Sequence, residues 1–309
     1  MLKLSRRDLL KSMCGSVAAM NLAPQSLLAS SHEMLTHKIP SSGEALAIVG
    51  MGTFRTFDAG NDTALRAQLI KVLQTFFDYG GELIDTSPHY DSSEETTGDL
   101  LKNINNKNDL FTATKIRTDE GRQAGINQMY GSMARLDIPV IDLLQIHNLV
   151  DWKTHIKTLR EAKESGKIRY LGITTSQGRD HNEFVDVMRQ EDLDFVQFSY
   201  NIIHRHAEKE IFPIAADKGI ATLINMPFQR GELFKRTANQ PLPGWASEID
   251  CSSWAQIFLK YSVSHPAATC VIPATSSIKH MQDNMQAGYG RLPDAALRKR
   301  MAKDFESLV

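Results

Sequence analysis

The sequence has few cysteines and no excess of charge of either sign. Cys14, Cys251 and Cys270 are its three cysteines among 309 residues, so a disulfide framework cannot carry the fold. Thirty-five Lys and Arg residues stand against 36 Asp and Glu, which gives a formal net charge of −1. This balance offers no basic field to nucleic acid or to an anionic membrane surface. A small molecule is therefore the favoured partner, and nucleic acid is not expected to be one.

Long apolar runs and a disorder-promoting composition are also missing. Hydrophobic residues make up 42% of the chain, which is enough for a sizeable core in one large domain or two ordinary ones. The most apolar stretch near the N-terminus is too short and too often interrupted to span a bilayer. We expect no stable membrane span in the mature protein.

Residues 1–30 have the composition of a targeting signal. Arg6 and Arg7 precede a weakly apolar stretch with Ala and Ser and without any acid after Asp8. The segment Ser5–Lys11 is similar to a twin-arginine export signal, which predicts transport by that machinery to the periplasm. Residues 31–309 would then form the mature domain. The alternative is a basic amphipathic N-terminus on a cytoplasmic protein.

Short aliphatic runs alternate with longer segments of helical period from about residue 46 onward. The predicted strands are Leu46–Phe54, Leu83–Ser87, Leu110–Ile116, Val140–Asn148, Ile168–Thr175, Phe195–Asn201, Ile220–Phe228 and Cys270–Thr275. Runs without polar alternation suit strands buried on both faces, and regular strand–helix alternation requires a parallel sheet. Eight such units in this length predict an α/β fold, a (β/α)8 TIM barrel.

A doubly wound open sheet is the alternative fold, but no G-x-G-x-x-G sequence follows an early strand to support it. The segment Lys38–Val49 predicts a hairpin that caps the bottom of the barrel. Residues 229–250, rich in Pro, Gly and Asn, predict one long loop, and Pro293–Val309 predicts an extra C-terminal helix.

Polar side chains stand where three successive predicted strands end. Asp85 and Tyr90 follow the second strand, Lys115 lies at the end of the third, and His147 at the end of the fourth. Each has an ordinary structural explanation, as a turn cap, a half-buried aromatic, a solvated lysine or a core histidine. Together they deliver an acid, a phenol, an amine and an imidazole to the rim where barrel active sites lie.

These four groups suit the reduction of a carbonyl by hydride transfer. The carbonyl oxygen gains negative charge as hydride arrives and needs a proton, which Tyr90 could donate. We expect the Lys115 ammonium to lower the pKa of this phenol toward working pH. Asp85 would keep the amine charged and in place, and a neutral His147 would orient the carbonyl by hydrogen bonding.

The sequence resembles the aldo-keto reductase family over nearly everything after about residue 38. The segments that carry the resemblance are Gly50–Phe54, Asp85–Tyr90, Thr114-Lys115, Ile141–His147, Gly166–Ile173, Gln197–Asn201 and Ile272–Ser276. The resemblance implies a barrel, an NADP-type cofactor and the catalytic set Asp85, Tyr90, Lys115 and His147. It further implies a cofactor-binding set of Gly52, Thr53, Thr174, Thr175, Gln197, Asn225, Phe228, Arg230, Thr275, Ser276, His280 and Asn284.

Several cofactor positions depart from the family pattern. Thr174-Thr175 stands where a Ser-Asn pair usually holds the nicotinamide carboxamide, and Asn225 stands where a tyrosine usually stacks on the ring. His280 replaces the arginine expected at the 2′-phosphate, and its ring cannot copy the bidentate guanidinium fork. NADP remains the preferred cofactor, and NAD is the alternative.

Two further functions stay open at this point. One is a nucleotide-binding but catalytically slow module that senses redox state or binds a partner, motivated by the altered Asn225 and Thr175 positions. The other is a metal-assisted barrel hydrolase that uses Asp85, His89 and His147. We predict no metal site, because His204 and His206 lack a third ligand at a recognisable spacing.

Overall fold

The computed structural model describes residues 33–107 and 109–308. The predicted export signal at residues 1–30 lies outside these residues and stays a prediction. Within them, no helix combines the length and the apolar character needed to cross a membrane.

A hairpin precedes the barrel and alters the predicted first strand. Strand β1 (Thr36–Lys38) pairs antiparallel with β2 (Ala45–Ala47), and the barrel begins only at β3 (Met51–Gly52). The predicted single strand Leu46–Phe54 is therefore wrong in its bounds, because its first residues belong to the hairpin. Gly43, with φ of +76°, occupies the left-handed position that this turn requires.

Strands and helices then alternate along the described chain. The remaining strands are β4 (Leu83–Asp85), β5 (Phe111–Ile116), β6 (Ile141–His147), β7 (Ile168–Thr174), β8 (Phe195–Ser199), β9 (Ala221–Asn225) and β10 (Cys270–Val271). The α-helices are α1 (Thr63–Asp78), α2 (Ser93–Leu101), α3 (Arg122–Leu136), α4 (Trp152–Glu164), α5 (His181–Gln190), α6 (Ile211–Lys218), α7 (Glu232–Thr237), α8 (Trp254–Val263), α9 (Ile278–Gln286) and α10 (Ala295–Glu306).

The strands form one parallel sheet that closes on itself. Each strand from β3 to β10 pairs with its neighbour in chain order, and bridges from Val49 to Val271 and from Gly52 to Ala274 join the two ends. This arrangement confirms the predicted (β/α)8 barrel. All strand C-termini therefore point to one rim, and residues far apart in the chain meet there.

The hairpin caps the opposite end of the barrel. Ile39 and Leu46 of the hairpin belong to the same buried cluster as the interior residues Phe111 and Phe195. Tyr170 on β7 stacks near Phe111, with 5.9 Å between ring centroids, and its hydroxyl lies 2.8 Å from Oγ of Ser42 in the hairpin turn. The predicted cap is confirmed, and it removes the barrel interior from water.

Helices pack around the strands as their apolar spacing predicts. Helix α1 begins after Asp62, whose side chain accepts hydrogen bonds from the amides of Ala64 and Leu65. Its buried face includes Leu69 and Phe76. The predicted C-terminal helix is confirmed as α10.

The segment predicted as one long loop at residues 229–250 is partly helical, so that prediction is wrong. It contains a 3-10 turn at Gln229–Gly231, helix α7 and a second 3-10 helix at Gly244–Ile249. Leu233 and Trp245 are buried in the core, which orders the segment despite its Pro, Gly and Asn content. Lys260 on α8 donates a hydrogen bond to the carbonyl of Ile249.

Candidate active site

The C-terminal rim of the barrel opens into a cavity of about 1060 Å³. Asp85, Tyr90 and His147 line this cavity; Asp85 ends β4, Tyr90 lies in the loop that follows it, and His147 ends β6. Lys115, at the end of β5, does not line the cavity and is fully buried beside Asp85. The fold thus brings the four predicted catalytic residues together from three strand ends.

Asp85 and Lys115 form a buried ion pair whose other hydrogen-bonding positions are filled. Nζ of Lys115 lies 2.6 Å from Oδ2 of Asp85 and 2.8 Å from the carbonyl oxygen of Thr86. Oδ1 of Asp85 accepts hydrogen bonds from Nε2 of Gln197 at 2.8 Å and of Gln145 at 3.2 Å. Burial lowers the pKa of Lys115, but Asp85 and Tyr90 outweigh it and hold that pKa above its usual value. Lys115 therefore remains an ammonium.

Tyr90 lies against this ammonium and two aromatic rings. Nζ of Lys115 is 5.0 Å from the ring centroid of Tyr90, and the rings of Phe54 and His147 lie 4.9 and 5.9 Å away. Burial raises the pKa of Tyr90 above its ordinary value; Lys115 opposes this rise and Asp85 adds to it. The expectation that Lys115 lowers the pKa overall is wrong, because desolvation of the phenolate is the larger effect. Tyr90 therefore keeps its proton at neutral pH.

His147 is held neutral at the end of β6. Burial, followed by the charges of Lys115 and Arg117, lowers its pKa to about 2. Its Nδ1 lies 3.3 Å from Oγ of Ser87, which also accepts a hydrogen bond from the amide of His89. When Ser87 donates to Nδ1, the proton of His147 lies on Nε2, the tautomer that can donate to a carbonyl oxygen. The partner Ser87 lies within the Asp85–Tyr90 segment but was missed in the sequence.

Most of the residues predicted to bind a cofactor line the same cavity. They are Gly52, Thr53, Thr174, Thr175, Gln197, Asn225, Phe228, Arg230, Thr275, His280 and Asn284. Ser276 does not line it, and the carbonyl of Ser276 instead accepts a hydrogen bond from the side chain of Gln68 at 2.5 Å.

Thr175 and Asn225, which stand where the family usually has an asparagine and a tyrosine, are hydrogen-bonded to each other. The hydroxyl of Thr175 donates to the carbonyl of Arg179 at 2.6 Å, and Nδ2 of Asn225 donates to the carbonyl of Thr175 at 3.0 Å. Oδ1 of Asn225 accepts a hydrogen bond from Ser199 at 2.6 Å. This wall of the cavity is therefore built from fixed amide and hydroxyl groups rather than from an aromatic face.

Helix α9 begins at the cavity edge with Ser277 as its N-cap. Oγ of Ser277 accepts a hydrogen bond from the amide of His280 at 3.4 Å. His280 in the first turn and Asn284 one turn later both line the cavity. The positive end of the helix dipole and the imidazole thus face the same space, an arrangement suited to an anion.

Sequence reasoning missed several cavity residues, above all cationic and aromatic ones. These are Arg55, Arg117, Arg179, Phe234, Trp254 and Asp283. Arg117 stands two positions after Lys115, so its place just beyond a strand end could have been read from the sequence. Trp254 and Phe234 could not, because the fold of residues 229–250 decides which aromatic side chains face the cavity.

No group of three or more His, Cys, Asp or Glu residues that could hold a metal ion occurs in residues 33–107 and 109–308. The hydrolase hypothesis requires Asp85 as a metal ligand, yet both of its oxygens already accept hydrogen bonds from Lys115, Gln145 and Gln197. The geometry therefore does not favour metal-assisted hydrolysis.

Comparisons with known proteins agree on one family. The model of the Aldo/keto reductase family matches residues 48–301. An uncharacterized oxidoreductase of Bacillus subtilis is 24% identical over 294 residues, which cover 84% of this chain and 92% of that protein. The NADH-specific methylglyoxal reductase of Escherichia coli is 27% identical over 198 residues, covering 54% of this chain and 58% of that protein.

Solved structures with the same fold include aldo-keto reductases from two bacteria. The enzyme of Klebsiella pneumoniae, in complex with NADPH, has a TM-score of 0.73 at 19% identity and covers 88% of this chain and 95% of that one. The holo form from Bacillus halodurans has a TM-score of 0.71 at 21% identity, covering 88% and 96%.

Proposed function

The chain belongs to the aldo/keto reductase family and is an NAD(P)H-dependent oxidoreductase, and we propose that it reduces the carbonyl group of an aldehyde or ketone with Tyr90 as the proton donor. The observation that carries this proposal is the fully buried Lys115–Asp85 pair beside a protonated Tyr90 and a neutral His147 at one cavity. Titratable groups that are buried together beside a cavity are typical of functional sites.

The residues of the cavity fit a dinucleotide. Its phosphates are anionic, and Arg230, His280 and the N-terminus of α9 supply cationic and amide donors. Phe228, Phe234 and Trp254 offer flat apolar faces for an adenine ring. Gln197 and Asn225, which are hydrogen-bonded to each other near Asp85, would hold the nicotinamide carboxamide. A bound nicotinamide cofactor supplies the hydride.

NADP is the preferred cofactor in this proposal. The Klebsiella structure contains NADPH, which supports NADP, whereas the Escherichia coli relative is NADH-specific by name. Arg230 lines the cavity and can contact a 2′-phosphate although His280 occupies the position of the usual arginine.

The side chains then act on the carbonyl oxygen in fixed roles. His147 donates a hydrogen bond from Nε2 and orients the carbonyl, and Tyr90 transfers its proton to the oxygen as negative charge develops. The ammonium of Lys115, kept in place by Asp85, stabilises the phenolate that remains on Tyr90. The buried pair thus matters most in the transition state.

Turnover of purified protein tests the proposal. We expect NADPH to be consumed when aldehydes or ketones are added, and product alcohol to form in equal amount. Nucleotide binding without turnover across a broad carbonyl panel would favour the redox-sensing or partner-binding module. Hydrolytic activity that requires a bound metal and is lost on treatment with a chelator would favour the hydrolase.

We propose in addition that residues 1–30 direct export to the periplasm through the twin-arginine machinery. The paired Arg6 and Arg7 and the acid-free stretch that follows support this. Replacing both arginines by lysine should leave the precursor in the cytoplasm, whereas the matched Lys3→Arg variant should still be exported. Periplasmic accumulation of the double-lysine variant would overturn the export proposal.

A further inference from the structure

The arginines around the cavity differ from those in the rest of the described chain. Away from the cavity, every arginine of residues 33–107 and 109–308 except Arg236 forms an ion pair with a carboxylate. Arg55, Arg117, Arg179 and Arg230 line the cavity, and none of them forms such a pair with a described residue. Arginines that form no ion pair with a described residue therefore lie mostly around the cavity.

Two of these arginines flank the reacting end of the cavity. Arg117 directly follows β5 and Arg179 lies in the loop after β7, while the strand between them, β6, ends at His147. Both charges add to the effect of burial in lowering the pKa of His147. Arg230 lies instead after β9, on the side where α9 begins.

Three hydrogen bonds hold the backbone of Arg117. Its amide donates to Oε1 of Gln128 at 2.8 Å, and its carbonyl accepts hydrogen bonds from Nε2 of Gln128 at 3.0 Å and Nε2 of His89 at 2.9 Å. Its guanidinium makes no hydrogen bond to a described residue. The three hydrogen bonds fix the backbone of Arg117, and its exposed side chain is available to a ligand in the cavity.

Arg179 has a similar support. Its carbonyl accepts the hydroxyl hydrogen bond of Thr175 at 2.6 Å, and its amide donates to the carbonyl of Ser176 at 3.2 Å. Arg117 and Arg179 thus follow the two strands that flank β6, at backbone positions that hydrogen bonds fix.

The carboxylates that line the cavity form no ion pair with these arginines. Asp85 is engaged by Lys115 and the two glutamines, and Oδ1 of Asp283 on α9 accepts a hydrogen bond from Gln256 at 2.7 Å. The lining residues include no other carboxylate. The end of the cavity at His147 is consequently cationic.

We propose that the substrate is a carbonyl compound that carries an anionic oxygen group, a carboxylate or a phosphate, bound by Arg117 and Arg179. The inference rests on the proposed carbonyl reduction and adds the class of substrate. The planar guanidinium fork matches either anion with two parallel hydrogen bonds. The carbonyl of the same molecule then lies against Tyr90 and His147.

Matched benzaldehydes test the inference. The substrates are para-carboxybenzaldehyde, para-formylphenyl phosphate and the neutral methyl ester of the carboxylate, each assayed for kcat/KM with saturating NADPH. We expect at least one anionic substrate to be preferred over the ester by about tenfold or more, since charge-assisted hydrogen bonds are the strong ones. The anion that is preferred tells whether the site is built for carboxylate or phosphate.

Variants assign the preference to the two arginines. Arg117→Met and Arg179→Met should each reduce the anion-to-ester ratio by about fivefold or more, chiefly through KM for the anionic substrate. Arg236→Met is the matched control, because Arg236 also lacks a carboxylate partner among the described residues but does not line the cavity. It should leave the ratio as in the wild type.

Three results would overturn the inference while leaving carbonyl reduction intact. They are equal kcat/KM for the anionic and neutral aldehydes, a ratio unchanged in both variants, and a loss of NADPH affinity in the variants that accounts for the whole effect. If no aldehyde is turned over, calorimetric titration of benzoate and benzamide into the NADP-loaded protein decides it. The same titration is made with phenyl phosphate. Binding of either anion that Arg117→Met abolishes supports the anion site, and absence of such binding for both anions, or affinity no greater than that for benzamide, refutes it.

Discussion

Nζ of Lys115 lies 2.6 Å from Oδ2 of Asp85, and the two side chains are only 1% and 4% exposed. Burial of both charges is costly, and the carbonyl of Thr86 together with Gln145 and Gln197 offsets that cost by filling the remaining hydrogen-bonding positions. A buried ion pair adds little to the free energy of unfolding. Its effect here is to place a permanent positive charge next to the ring of Tyr90.

Breaking this pair should destabilise the fold more than removing it. Asp85→Asn leaves an uncompensated buried ammonium and should cost about 3–5 kcal/mol in the free energy of unfolding. In the double variant with Lys115→Met, the cost should be well below the sum of the two single changes. Urea unfolding measures the two single variants and the double variant. Lys102→Met, at an exposed ion pair, is the control and should cost about 1 kcal/mol or less. Additive effects of the two changes would contradict the coupling.

Tyr90→Phe should remove the proton donor with little change in packing. We expect kcat for carbonyl reduction to fall by about a hundredfold or more, and the Kd for NADPH to change little. Tyr130→Phe is a control, because Tyr130 is 49% exposed on α3. Near-normal reduction by Tyr90→Phe would refute the assigned role of this residue.

The rate of reduction should depend little on pH near neutrality. The pKa of Tyr90 is raised by burial, so the proton to be donated stays in place, and His147, with a pKa of about 2, stays neutral. At saturating substrate, kcat should be flat from about pH 5 to pH 9 and decline only as the phenol ionises, above about pH 10. An inflection between about pH 6 and pH 8 would mean that another group limits the reaction.

Acid should weaken the fold through histidines that are buried in the neutral form. The pKa of His147 is about 2 and that of His265 about 4, both lowered chiefly by burial from an ordinary 6.5. Below about pH 6.5 these histidines take up protons in the unfolded chain but not in the folded one. Their contribution to the free energy of unfolding is therefore fully present above that pH and is lost as the pH falls. The urea midpoint should therefore decrease between about pH 7 and pH 4.5, and less steeply in His265→Gln. A decrease that the substitution leaves unchanged would assign the acid sensitivity to other groups.

His280→Arg should shift the choice of nucleotide. A guanidinium at this position can make a charge-assisted contact with a 2′-phosphate of about 1.5 to 3 kcal/mol at most, so the ratio of the Kd for NADH to that for NADPH should rise. His280→Gln is the matched neutral control and should not raise it. An unchanged ratio in His280→Arg would mean that residue 280 does not face the 2′-phosphate.

The sequence by itself determined the barrel and predicted the candidate catalytic residues at its rim. Apolar runs of strand length alternate with helical spacing, and residues such as Asp85, Lys115 and His147 stand at strand ends, which parallel pairing brings to one rim. These are local patterns with a direct physical consequence, so one chain suffices to read them. The resemblance of the same segments to a known family added the nucleotide cofactor.

Only the tertiary structure decided the features that depend on burial and on distant contacts. It divided Leu46–Phe54 between hairpin and barrel, and it ordered residues 229–250 through the buried Leu233 and Trp245. It also reversed the expected pKa shift of Tyr90, because desolvation depends on every group packed around the phenol. The sequence likewise does not reveal that Arg117 forms no ion pair with a described residue, since acids stand close to it in the chain.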